Sequence, residues 1–333
     1  MAVIRGRRAF LGLAGMVFLL GALAAAWMAP VAAQSEAAPL RVVTTTAMIA
    51  DGVRAIGGER LASVDSLLGE GVDPHLYKPT RADVARMLRA DLIIGNGLQL
   101  EAQFQDTFDQ LVRSGRSLVF AAERLPKDRL LADAAYQNKP DPHVWMDPDL
   151  WIEVMAQVRD ALVAKDPAGQ ASYTRGYENY AERIRGLSAY AKSVLSGIPP
   201  ERRVLITAHD AFGYFARAYG FGVIGIQGVS TESEAGLRRI EEVVELAVAR
   251  KIPAIFVEAS VSDRNVKAVV EGSTRRGHDL RIAAQIYSDS MGTPGTYEGT
   301  YLGMIDHNAT TIARALGGEA PERGLNSRLG TGS

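Results

Sequence analysis

Cysteine is absent from the 333-residue chain, which excludes disulfides, thiolate metal ligands and cysteine nucleophiles, and leaves no cysteine for a lipid to be attached to. An excess of either charge is lacking too. With 37 Lys and Arg against 38 Asp and Glu, the net charge is -1, and no basic field exists to draw nucleic acid. Histidine is scarce, with five in the whole chain, so each can be weighed singly. What is present is ordinary globular material, 47% hydrophobic and 23% charged, long enough for two domains with cores of their own.

The amino terminus differs from the rest. Arg5, Arg7 and Arg8 form a basic stretch, residues 10–29 an apolar run, and Val31-Ala32-Ala33 a small-residue cleavage site. This reads as a signal peptide over residues 1–33. The other reading is an uncleaved membrane anchor, since the run approaches the ~20 residues a span needs. Arg7-Arg8-Ala9-Phe10-Leu11 also resembles a twin-arginine signal, which would export the protein already folded. Export without a lipid cysteine predicts a free periplasmic protein.

Beyond the leader, strand-like and helix-like segments alternate. Residues 40–45, 62–67, 91–94 and 117–120 suit strands, and 80–89 and 100–114 suit helices. The same pattern returns with strands at 203–207, 222–226 and 254–257 and helices at 211–219, 234–250 and 263–272. Such alternation predicts parallel sheets covered by helices. Between the two sets, Asp147-Pro148 supplies an N-cap and N1 proline for one helix. Asp166-Pro167 starts another, which Gly197-Ile198-Pro199-Pro200 stops. Unbroken, it would run about 45 Å at 1.5 Å per residue; a kinked pair of shorter helices is the alternative. The expected fold is α/β, with two α/β sandwich lobes at residues 34–165 and 199–333 and one long spine helix at 166–198.

The histidines carry the chemistry. Two of the five lie in the same tripeptide, Asp73-Pro74-His75 and Asp141-Pro142-His143. Chance would precede a given histidine with Asp-Pro roughly once in several hundred cases. Proline fixes its own φ and keeps the residue before it extended, so each histidine is presented from a stiff loop. His209 follows strand 203–207, and Asp289 follows another apolar segment at an equivalent corner, where open α/β sheets bind ligands. Alone, Asp289 reads as a cap or turn residue; beside three histidines it is the natural fourth ligand. Three imidazoles and a carboxylate suit zinc, manganese or iron, not calcium or magnesium, which prefer oxygen.

With these segments in view, the chain resembles the solute-binding receptors of manganese and zinc ABC importers. The resemblance runs from about Leu40 to Gly317 through residues 71–75, 141–147, 207–215, 257–262 and 287–290. It implies two lobes joined by one long helix, little hinge motion, and metal held at the lobe interface by His75, His143, His209 and Asp289. It also implies a partner, the membrane subunit of an ABC permease, served by a monomeric receptor. Two departures stand out. Residues 121–140 lack the histidines often found there in zinc-specialised members, and His209 stands where manganese-specialised members often carry glutamate. Zinc, manganese and iron all stay open.

Other residues carry weaker signals. Glu258 could orient a ligand histidine or cap the helix near Asp263. Asp73 and Asp141 could orient their histidines or make Asx turns. His278 is expected exposed in a polar turn, and His307 exposed or capping on a helix over residues 301–315. Gly95-Asn96-Gly97 lacks the third glycine and the acidic ribose ligand of a dinucleotide loop. The competing function is an exported mononuclear metallohydrolase, disfavoured because no H-E-x-x-H occurs and four protein ligands would fill a tetrahedral zinc site. An adhesin ranks last, for want of adhesive repeats or an aromatic platform.

Overall fold

The computed structural model describes residues 1–2, 38–133 and 139–330. The expected signal peptide therefore lies outside the described residues, apart from its first two. Near the start of the described chain, β1 (Leu40–Thr44) is the middle of a parallel sheet. It pairs with β2 (Leu61–Ser66) on one side and β3 (Leu92–Gly95) on the other, and β3 pairs with β4 (Leu118–Phe120). Both faces of the middle strands are covered, as a parallel sheet requires. The period-2 alternation divides their side chains. Val42 and Ile94 enter one core with α1 (Ala47–Gly57). Val43 and Ile93 enter another with Met87 of α2 (Arg81–Arg89) and Phe108 of α3 (Gln105–Arg113).

Local signals account for the helix starts. Thr80 and Asp83 form a reciprocal capping box at α2. Asp147 accepts from Asp149 N and Leu150 N at the start of α4 (Pro148–Lys165), with Pro148 in its first turn. A short antiparallel pair, β5 (Ala132–Asp133) and β6 (Lys139–Pro140), leads into that region. The spine is α5 (Gln170–Ser196), a single helix of 27 residues, about 40 Å at 1.5 Å per residue. The kinked alternative does not occur, and the helix starts later than expected. Asp166 heads a 3-10 turn at Pro167–Gly169, and its carboxylate accepts from Arg60 and from Tyr173, at 2.7 and 2.8 Å.

The second half repeats the plan with two two-stranded parallel sheets. β7 (Val204–Thr207) runs parallel to β8 (Gly222–Gly225), and β9 (Ala254–Glu258) parallel to β10 (Arg281–Ile286). β7 and β9 lie side by side. Ile206 and Ile255 face α7 (Leu237–Ala249) and α8 (Arg264–Arg275), while Leu205 and Phe256 point the other way. They meet α9 (Tyr301–Ala315) and the same core that Val42 and Ile94 enter. This largest core is continuous from the first sheet through α4 and α5 to the sheets of the second half. The short α6 (Gly213–Tyr219) joins it through Tyr214 and Phe215. A shared core backs both lobes, so large swings between them would open apolar surface at about 25 cal/mol per Å².

Two glycines of α5 test this packing. A Cβ on Gly176 would meet the backbone oxygen of Ile56 at 2.3 Å, whereas one on Gly186 meets nothing within 4 Å. Gly176→Ala should lower the thermal midpoint, overpacking costing about 1–3 kcal/mol. Gly186→Ala should raise it through helix propensity, by up to about 1 kcal/mol. Calorimetry of the two variants reads the opposite signs.

Candidate metal centre

The four residues singled out in the sequence converge. His75 leaves the loop before α2, His143 follows β6, His209 follows β7, and Asp289 follows β10. One ligand atom from each lies within 4.8 Å of all the others, and none of the four side chains exceeds 4% exposure. His75 Nε2 is 3.3 Å from His143 Nε2. The Asp289 carboxylate splits between partners, Oδ1 at 3.3 Å from His143 Nε2 and Oδ2 at 3.2 Å from His209 Nε2 and 3.8 Å from His75 Nε2. At metal–ligand distances of 2.0–2.1 Å a tetrahedral ion separates its ligands by about 3.3 Å, so the spacing suits one transition-metal ion.

Both Asp289 oxygens and His209 Nε2 are buried without a hydrogen-bond partner. Buried acceptors of this kind cost free energy unless something pairs with them, and a cation among them does so. The far side of each ring on the inner pair is held by a carboxylate. His143 Nδ1 meets Asp141 Oδ1 at 2.7 Å, and His209 Nδ1 meets Glu258 Oε2 at 2.6 Å. Each of these acids also accepts its histidine's backbone N–H, at 2.9 Å in both cases. With Nδ1–H donated outward, Nε2 keeps its lone pair for the centre. Glu258 is thus an orienting group and not a cap, since α8 begins at Arg264.

Electrostatics reinforce the picture. Burial pulls the His75 imidazole down to about 3, against the opposing charge of Asp289, so it is neutral at pH 7. Burial also pulls at His143, but the charges of Asp141 and Asp289 outweigh it and raise this ring to about 9. His209 is likewise raised, Glu258 and Asp289 overcoming its burial. Asp289 is depressed well below the usual carboxylate range, because His209 and His143 outweigh its burial. The carboxylates that raise these two rings favour positive charge at the centre.

The supporting frame is long-range and was not legible in the sequence. Trp145 donates its indole N–H to the Ser288 carbonyl at 2.8 Å, tying the His143 segment to the Asp289 loop. Asn308 of α9 donates to the Tyr287 carbonyl and accepts from its N–H, at 2.7 and 2.9 Å. Tyr214 donates to the Asp141 carbonyl at 2.8 Å. Asn96, in the segment unlike a dinucleotide loop, donates to the Pro142 carbonyl at 3.2 Å, and buried Glu101 accepts the N–H groups of Asn96 and Gly97. The remaining histidines correct expectation. His307 is a buried core histidine bonded to the Gln285 carbonyl, and His278 is half-buried against the Ile252 carbonyl. Neither joins the centre.

Fold and centre together define a class: a two-lobed α/β binding protein with a buried His-rich transition-metal site between its sheets. Residues 42–315 match the family described as ZnuA, zinc-uptake complex component A, periplasmic. The chain belongs to this family of metal ABC-transporter solute-binding proteins. It is 41% identical over 285 residues to the manganese-binding lipoprotein MntA of Bacillus subtilis, covering 86% of this chain and 92% of the relative. It is 43% identical to the zinc-binding protein TroA of Treponema pallidum over 284 residues, 85% of this chain and 91% of that one. Against the iron-binding protein YfeA of Yersinia pestis identity is 32% over 277 residues, 83% of this chain and 86% of the relative. The solved structure of Treponema pallidum TroA superposes with a TM-score of 0.80, covering 83% of this chain and 99% of that one.

The raised imidazoles give a signed prediction. A divalent ion must evict the protons from His143 and His209, so affinity should rise as pH climbs toward about 9, and binding at pH 7 should release protons. Titration calorimetry in two buffers of different ionisation enthalpy measures the release directly; equal heats in both would contradict the protonated pair.

Proposed function

We propose that this chain is the periplasmic receptor of an ABC importer, capturing one divalent transition-metal ion through His75, His143, His209 and Asp289 and delivering it to the membrane permease. The observation that carries this reading is the convergence of four nearly solvent-free ligand atoms, supplied by loops of both lobes, within bonding reach of a single ion. Membership of the family supports transport as the use of that ion. The ion is cargo: zinc, manganese or iron, the metals for which the relatives are named. Three imidazoles with a carboxylate able to present both oxygens accept each of them.

The same geometry favours a carrier over a catalyst. A hydrolytic zinc keeps an open position for water, whereas here the four donors surround the centre, and none of their side chains exceeds 4% exposure. The metallohydrolase alternative finds no support among the relatives, which are named as binding proteins. The organisation we propose is a leader at residues 1–33, lobes at 34–165 and 199–333, and a linking segment at 166–198 that contains α5, acting as a monomer. The absence of cysteine supports a receptor free in the periplasm.

Replacing His143 or Asp289 by alanine should weaken zinc binding by more than about a hundredfold, and Glu258→Gln, which leaves the ligands in place, by about 10–100-fold. Competition against a chelator of known affinity reads all three. Wild-type affinity in the alanine variants would remove those residues from the centre.

A further inference from the structure

The two Asp-Pro-His tripeptides share a sequence but not a wiring. In the second, Asp141 Oδ1 receives both the backbone N–H and the ring Nδ1–H of its own His143. In the first, Asp73 Oδ1 receives the backbone N–H of His75 at 2.8 Å, but Oδ2 turns away from the ring. It accepts instead from the Thr231 hydroxyl, at 2.6 Å, on the loop between β8 and α7 of the opposite lobe. Asp73 therefore holds a ligand-bearing loop with one oxygen and the other lobe with its second.

This bond stands over a cavity of about 150 Å³ lined by Asp73, Leu76, Thr231, Glu234, Ser260 and Ser262, among others. The cavity's walls include neighbours of two of the ligands. Asp73 is two residues from His75, and the Ser260 hydroxyl lies 3.1 Å from that of Ser288, next to Asp289. At about 30 Å³ per water it has room for a few solvent molecules, and its lining sets the carboxylates of Asp73 and Glu234 and the hydroxyls of Thr231, Ser260 and Ser262 beside the guanidinium of Arg264. Two other bonds cross the same rim, Gln103 to Glu232 and Thr293 to Glu70, and both are exposed to solvent. Exposed polar pairs contribute little, whereas Thr231 is 6% exposed and its bond to a carboxylate is charge-assisted. The other rim is tied differently: Tyr214 bonds the Asp141 carbonyl and the Leu131 N–H, and Arg217 bonds the Arg129 carbonyl.

We infer that Asp73 is a positioning residue that latches the two lobes through Thr231, and that breaking this hydrogen bond opens the cavity through which the ion leaves and enters. Asp141 orients an imidazole; Asp73 links the placement of His75 to closure of the rim. The inference rests on the receptor reading and adds to it the route and the gate. Removing the Thr231 hydroxyl leaves Asp73 Oδ2 without its partner in the closed form only, so closure weakens while the ligand set stays intact.

The test is release of zinc from the loaded protein into excess chelator, followed by the absorbance of the chelator's zinc complex and by tryptophan fluorescence, the Trp145 ring standing 5.3 Å from that of His143. Thr231→Val should release zinc about tenfold faster or more, the loss expected for a charge-assisted hydrogen bond. Thr231→Ala, which adds no methyl group where the hydroxyl was, should show the same acceleration. Thr231→Ser, which restores the hydroxyl, should return to the wild-type rate. The thermal midpoint of the zinc-loaded variants should fall more than that of the metal-free ones. Wild-type release rates in both the Val and Ala variants, or equal acceleration in the Ser variant, would overturn the latch while leaving the receptor reading standing. A wild-type protein that takes up none of zinc, manganese and iron would overturn both.

Discussion

The structure depends on one electrostatic problem: a carboxylate and three imidazoles buried together where water cannot reach them. Taking an uncompensated carboxylate out of water costs several kcal/mol, and neither oxygen of Asp289 has a hydrogen-bond partner. The positive charges that act on it among the described residues are those its histidine neighbours can carry. His75 stays neutral, so compensation falls to His143 and His209. A divalent cation among the four side chains supplies compensation of the same sign. Ligand imidazoles must be deprotonated to bind, so binding displaces whatever protons these rings carry.

That constraint explains why the fold is built as it is. His75, His209 and Asp289 stand in loops beyond strands of parallel sheets, and His143 follows β6 of the short antiparallel pair. The sheets of the two halves face each other across the centre, and a single core runs behind both halves through α4, α5 and α9. Rigidity follows from that continuity. Hydrogen bonds from Trp145, Tyr214 and Asn308 then fix the ligand loops to neighbouring elements, two of them from the opposite part of the chain. At the rim nearest His75, two of the three cross-lobe hydrogen bonds named above are exposed to solvent, the one from Thr231 to Asp73 being the exception.

Much of this was legible in the sequence because it is local. The Asp-Pro-His repetition, the strand-to-helix corner at His209 and the Asp147-Pro148 helix start all sit within a few residues of what they determine. Apolar segments of the right length gave the sheets of both halves. What was not legible depends on partners far apart in the chain. Glu258 read equally as a cap until its carboxylate was seen on His209, 49 residues away. His307 looked like a surface residue of an amphipathic helix, but α9 is buried nearly all round between α5 and β10. Asp166 suited a helix start, yet Arg60 and Tyr173 claim its carboxylate. The different wiring of Asp73 and Asp141 cannot be read from two identical tripeptides, since only the facing lobe distinguishes them.

The central claim is that three imidazoles and one carboxylate enclose a single ion, and X-ray absorption spectroscopy of the protein loaded with one equivalent of zinc tests it most directly. The account predicts a nitrogen and oxygen shell at about 2.0–2.1 Å, with multiple scattering from three imidazole rings. A shell carrying one ring or none would contradict it.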